Sequence, residues 1–128
     1  MTDAYETGKS IFSDVYGESM ANDLQRYVDS DSFGNQGAKW AMEWAFGSVW
    51  SRDGLSKKMR SCSVLGMVIA QGQLDEIKFH TKMALANGLS LQEIEEIYYT
   101  SIPYCGLPRS NDAKRSMLAA LAEVSAKS

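Results

Sequence analysis

An all-α fold is predicted by three features of this sequence: apolar residues recur at helical spacing, glycines stand where those runs end, and no convincing strand pattern appears. Taken in order, Ala4 to Tyr16 places Ile11, Phe12, Val15 and Tyr16 on a helical pattern that stops at Gly17. From Glu18 to Gly37 the periodicity fades, and Asp29 to Gly37 has turn composition throughout. Part of this stretch is therefore expected to be an irregular connector, with room for a loop that covers a substrate. Ala38 to Val49 is strongly aromatic, with Trp40 and Trp44 on one helical stripe, Phe46 between them and Trp50, a composition that usually belongs to cores or subunit contacts. Asp53-Gly54 marks a turn, and Ser56 then caps a helix expected to stop near Gly72. Its apolar residues, Met59, Cys62, Val64, Leu65, Met67, Val68 and Ile69, fall almost all round, so burial on most sides is expected. Leu74 to Asn87, closed by Gly88, forms the next helix. Ser90 and Glu93 match a capping box that opens a helix from Leu91 to about Ser101. Pro103 disfavours helix at Ile102, Tyr104 to Pro108 reads as a break, and Asn111 to about Ala126 is a last amphipathic helix. The sum is a compact bundle of about five to six helices with short connections, without internal repeats and of single-domain length.

Bulk properties exclude several functions. With 45% hydrophobic residues the chain can fill a core. Its net charge is −3, with acids and bases interspersed, which leaves no electrostatic footprint for nucleic acid or a membrane surface. No apolar run approaches the ~18 residues of a membrane span, and the N-terminus lacks a basic region followed by an apolar one, so a cytoplasmic protein with reduced thiols is expected. Cys62 and Cys105 belong to no C-x-x-C or zinc-type spacing; no metal site is expected, and each reads as a buried structural cysteine. A helix apolar nearly all round implies more burial than so small a core offers, which points to oligomerisation, unless that helix is simply the centre of the monomer.

The chemistry-bearing residue that stands out is His80, the only histidine. An imidazole titrates near neutrality, at about 6.5, so one well-placed ring can move protons at physiological pH. Glu76 precedes it by four residues; on a helix the two share a face, where the acid can orient the ring and favour its charged form. By itself such a histidine is more often a packed or surface residue than a catalytic one, and the surrounding blocks decide the matter.

Those blocks are Trp44-Ala45-Phe46-Gly47-Ser48-Val49-Trp50-Ser51-Arg52-Asp53-Gly54-Leu55, then Arg60, then His80 with Ala84-Leu85-Ala86-Asn87-Gly88, then Glu93-Ile94-Glu95-Glu96-Ile97, and last Tyr104-Cys105-Gly106-Leu107-Pro108. In order and spacing they resemble the carboxymuconolactone decarboxylase family over about residues 38–122. The resemblance implies one domain of the alkylhydroperoxidase D-like type, assembled into a trimer or hexamer and working without metal or organic cofactor. Asp53 stands where the family usually has a proline, and the first 37 residues, an N-terminal helix and connector, fall outside the match. The sister branch of alkylhydroperoxidase D-like proteins carries a C-x-x-C pair at positions that look like Gln73 and Glu76 here. Neither is a thiol, so the peroxidase chemistry of that branch is disfavoured.

The family reaction removes CO₂ from a lactone bearing two carboxylates, such as γ-carboxymuconolactone. The electron pair released runs through the ring double bond into the lactone carbonyl, so the substrate is its own electron sink. On this resemblance His80 is the proton donor to carbon, and Glu76 or another nearby acid holds its tautomer. Arg52 and Arg60 are placed to grip carboxylates, Arg60 having a structural ion pair as its other reading. Trp44, Trp50 and Tyr104 would wall a pocket for a small carboxylated substrate, core packing being their other reading. A different cofactor-free reaction on the same scaffold is the second reading: isomerisation, dehydration or ring opening of an aromatic-degradation or polyketide-like intermediate. A non-enzymatic assembly protein is the third.

Overall fold

The computed structural model describes residues 2–126. Every element in them is helical, and the chain divides into two compact units that meet in sequence at Leu55 and Ser56.

The first unit is built from α1 (Asp3–Tyr16), α2 (Glu18–Asp29) and α3 (Asn35–Trp40), which continues into a π-helical segment, Ala41–Trp50. Thr2 caps α1 by accepting from the Tyr5 amide at 3.1 Å, and Gly17, at φ 96°, ends it in a conformation that other residues avoid. α1 and the π-helical segment meet backbone to backbone. A Cβ on Gly8 would lie 1.9 Å from the Met42 carbonyl oxygen, and one on Gly47 would lie 2.0 Å from that of Ala4. Around this crossing Phe12 meets Phe46 edge-on, with ring centroids 6.0 Å apart, and Phe46 stacks on Trp50 at 6.5 Å. Tyr5 is fully buried and donates to Gln25 Oε1 at 2.8 Å, tying α1 to α2; burial raises the phenol pKa.

The expected irregular connector is in large part α2. The pattern is sparse because the helix buries only Ala21 and Val28, seven positions apart on one face, and its other residues are mostly polar. The loop itself is short, Ser30 to Gly34, and is closed by Asn35, whose Nδ2 donates to the carbonyls of Val28 at 3.0 Å and Ser30 at 2.7 Å. The aromatic stripe also differs from the core role its composition suggested. Trp40 and Trp44 are exposed, while Met42, Phe46, Gly47 and Trp50 face inward. A π-helix has more residues per turn than 3.6, so the buried face of this segment does not follow the Trp40–Trp44 stripe; of the two readings, cores or subunit contacts, the first does not hold for these two tryptophans.

The second unit contains α4 (Lys57–Gln71), α5 (Leu74–Ala86), α6 (Leu91–Cys105) and α7 (Leu107–Ala126). Its start and stop signals are the ones the sequence displays. Ser56 accepts from the Met59 amide at 3.1 Å, Gly72 closes α4 at φ 69°, and Ser90 and Glu93 form both bonds of the capping box. Its core interdigitates Leu65, Val68 and Ile69 of α4 with Ile77 and Ala84 of α5, Ile94 of α6, and Ala113 and Met117 of α7. Glu123 of α7 lies between two lysines of α5, 2.5 Å from Lys78 Nζ and in contact with Lys82; their hydrogen bonds hold its carboxyl down to about 2.

Three further expectations are corrected here. α6 runs through Pro103 to Cys105 rather than ending near Ser101. So late in the helix, the ring removes one amide bond from the final turn instead of breaking the ladder midway. α7 begins at Leu107 rather than Asn111, because Pro108 lies in the first turn, where an amide has no intrahelical partner to lose. α4 is not buried on most sides within one chain: Leu65, Val68 and Ile69 are buried, but Met59 and Met67 are each 60% exposed.

Candidate functional site

α5 positions the only histidine. Ile77, His80, Thr81 and Ala84 fall at helical spacing on the face turned into the second unit, so packing that face buries the imidazole as well. Thr81 satisfies its hydroxyl locally by donating to the Ile77 carbonyl at 2.7 Å. His80 Nε2 lies 3.6 Å from Glu76 Oε2, one turn earlier, as the four-residue spacing requires. The two ends of this pair have opposite environments: the His80 side chain is 11% exposed and that of Glu76 57%.

That contrast decides the charge. Burial lowers the His80 pKa below its ordinary 6.5, so the ring is held neutral near pH 7. The expectation that Glu76 would favour the charged form is therefore corrected. A carboxylate largely in water is screened, whereas removing the imidazolium from water is penalised in full. Neutral and buried, His80 takes up a proton less readily than a free imidazole, and it can donate one to carbon only after taking one up.

Arg60 is on α4 in the same unit, half-buried, beside the fully buried Ser61. Asn87, at the C-terminal end of α5, donates through Nδ2 to Ser61 Oγ at 3.0 Å and fixes the register of the two helices. His80 stands seven residues before Asn87, about 10 Å along the axis, so the backbone next to Arg60 meets the far end of α5. Tyr104, near the end of α6, is 86% exposed. The other three candidates belong to the first unit. Arg52 is exposed in the loop after the π-helical segment, its amide donating to the Val49 carbonyl at 3.1 Å; Trp44 is exposed; Trp50 is buried against Phe46.

The thiols differ from their expected role. Cys62 is exposed and Cys105 only partly buried, and both line one apolar groove of about 420 Å³ with Gly66, Ala70 and Tyr104. They stand at opposite ends of it. Lys58 Nζ and Glu93 Oε2, 3.2 Å apart, join α4 and α6 near their N-termini, while Gln71, Gly72 and Cys105 line a common hollow at their C-termini, so the helices run in the same direction. Cys105 is then about eight residues farther along than Cys62, roughly 12 Å, beyond the reach of a disulfide within the chain. Among the described residues no group of three or more histidine, cysteine or acidic side chains is placed to hold a metal ion, and no helix is long and apolar enough to cross a membrane.

Comparison with known proteins adds what geometry alone does not. The model of the carboxymuconolactone decarboxylase family matches residues 36–119, which takes in parts of both units. A nitrosuccinic acid decarboxylase of Metarhizium robertsii is 34% identical over 109 residues, covering 85% of this chain and 75% of its own length. A 4-carboxymuconolactone decarboxylase of Acinetobacter baylyi is 30% identical over 109 residues, covering 85% and 80%. An uncharacterised 15.0 kDa protein of Paracoccus denitrificans is 32% identical over 74 residues, covering 56% and 55%.

Proposed function

This chain belongs to the carboxymuconolactone decarboxylase family, and we propose that it removes CO₂ from a small dicarboxylate that carries its own electron sink. The names of the two decarboxylase relatives support that substrate class. In nitrosuccinic acid and in 4-carboxymuconolactone alike, a carboxylate leaves a carbon whose electron pair can pass into an attached group, a nitro group in one and an unsaturated lactone carbonyl in the other. A second carboxylate is retained in both. The chain's task is then to bind two carboxylates, steady the developing negative charge and return a proton to carbon, with no cofactor required.

The observation that carries this reading is the buried His80 with Glu76 at 3.6 Å from Nε2. Free, the ring is neutral; beside a bound dianion the imidazolium is favoured, so binding is coupled to uptake of one proton from solvent, and the ring becomes the donor to carbon. Glu76 fixes which nitrogen faces away from it. Within the second unit Arg60 holds a carboxylate, as a bidentate guanidinium group does, and Tyr104 shields the reacting groups from water; Arg52, Trp44 and Trp50 are candidates by the family resemblance alone. A homo-oligomer, a trimer or hexamer by the family resemblance, would cover the exposed apolar side chains of α4.

The test is CO₂ release from 4-carboxymuconolactone and from nitrosuccinate, with His80→Ala as control. Turnover of either that depends on His80 supports the reading; turnover undiminished in His80→Ala removes the histidine from it, and failure with both removes the substrate class. The pH profile is a sharper check. Because kcat/KM reports the free protein and kcat the complex, the alkaline limb of kcat/KM should fall below pH 6.5 and that of kcat at higher pH.

A further inference from the structure

We propose that Ser61 and Asn87 are a positioning pair for the substrate: their hydrogen bond holds Arg60 at a set distance from His80, so that the site selects anions carrying a second carboxylate. The inference rests on the decarboxylase reading and deepens it by assigning what keeps its two charged groups apart.

α4 and α5 are joined by Gly72 and Gln73 alone, and Asn87, at the far end of α5, donates through Nδ2 to Ser61 Oγ at 3.0 Å near the start of α4. Joined at one end and bonded at the other, the two helices lie side by side and antiparallel. His80 and Asn87 are seven residues apart on one stripe of α5, so the stripe that brings Asn87 to α4 brings His80 to it as well. At about 1.5 Å per residue, His80 is then about 10 Å from the level of Ser61, beside the turn of α4 that holds Leu65 and Val68. Arg60, next to Ser61, starts from the other end of this span. Its Nε is buried, so the stem lies on the protein instead of extending into water.

The packing between these ends is aliphatic. Leu65, Val68 and Ile69 against Ile77 and Ala84 resist separation but tolerate sliding, because apolar burial does not depend on orientation. The hydrogen bond supplies the direction that such packing lacks. Ser61 is fully buried, and a hydroxyl removed from water is held by the partner that satisfies it. A monocarboxylate can engage Arg60 or bring its carbon to His80; a dicarboxylate does both, and only while the two ends keep their spacing. Asn87 therefore acts through Arg60 and touches no substrate itself.

Titration calorimetry with succinate and butanoate, which share a chain length and differ by one carboxylate, reads this selectivity. Wild type is expected to bind succinate about tenfold tighter than butanoate. Asn87→Ala and Ser61→Ala should each remove most of that preference while changing butanoate affinity by less than about twofold, and the double variant should lose no more than either. Arg60→Gln should remove the preference too, and Asn87→Ala added to it should change nothing further. Circular dichroism checks folding, and Asn87→Ala, at a partly buried helix end, decides the matter if Ser61→Ala unfolds. The proposal is overturned if wild type does not distinguish the two ligands, if the variants keep the preference, or if they weaken both ligands alike, as a purely structural bond would. It is equally overturned if the effects of Asn87→Ala and Arg60→Gln add. Absence of CO₂ release from both 4-carboxymuconolactone and nitrosuccinate removes the decarboxylase reading and this inference with it, whereas release by wild type with the preference intact in Asn87→Ala removes the positioning role alone.

Discussion

The two units of this chain solve the same problem, burying one helix against another, by different means. In the first, α1 and the π-helical segment come so close at Gly8 and Gly47 that main chain meets main chain, and aromatic rings fill the space around the contact. In the second, aliphatic side chains from four helices interlock, and the helix ends are fixed by side-chain caps. The first arrangement depends on what two positions lack; the second depends on what many positions carry. Distributed packing degrades by degrees, whereas a backbone crossing has no side chain to yield. The difference extends to the candidate residues. His80, Glu76 and Arg60 belong to the interlocked unit, while Arg52 and the two tryptophans belong to the other.

Substitutions can break or sharpen this comparison. The largest effect is expected at His80: His80→Gln should lower CO₂ release by roughly 10²–10⁴-fold without changing the thermal midpoint much, because the role proposed for it is chemical rather than structural. A proportionate loss of stability would instead assign the ring to the core. Leu65→Ala, in the centre of the second unit, should cost about 2–5 kcal/mol in urea unfolding through the cavity it leaves. Gly47→Ala adds one methyl group where a Cβ would lie 2.0 Å from the Ala4 carbonyl oxygen. Overpacking of this kind costs typically about 1–3 kcal/mol, and the same methyl at Gly66, where nothing lies within 4 Å, should be tolerated. If both variants unfold alike, the crossing is less rigid than described. Ser90→Ala removes the capping box and should cost about 0.5–2 kcal/mol. Smallest is the electrostatic link between α5 and α7. The carboxyl of Glu123 is held down to about 2 from an ordinary 4.5, so its stabilisation is present above pH 4.5 and lost as pH falls through about 2. Glu123→Gln should flatten that part of an acid unfolding curve.

Much of the second unit was legible in the sequence because its signals are local and short-ranged: a serine that caps, a glycine that stops, a glutamate three residues into a helix, a histidine four residues after an acid. Each needs only one turn of helix to take effect. The first unit was less legible for physical reasons that follow from its construction. α2 presents two buried apolar residues among polar ones, so its periodicity is faint. The π-helical segment obeys a spacing that an α-helical template does not carry, so the stripe of Trp40 and Trp44 does not show which face, that of Met42, Phe46, Gly47 and Trp50, is buried. Pro103 misled because a rule about helix interiors was applied to a last turn. At the candidate site the pairing of His80 with Glu76 could be read from spacing, but its charge could not. That depends on how far each side chain is removed from water, which only the packed fold determines.

The crossing at Gly8 and Gly47 also shapes how this protein can change over generations. Most positions in a helical bundle drift by small steps, one side chain growing as its neighbour shrinks. Here no such trade exists, since neither member of the contact is a side chain that can shrink. In a saturation scan of the first unit these two positions should stand out as near-blank columns between permissive ones. The route past them is to move a whole helix, a change that no single codon supplies.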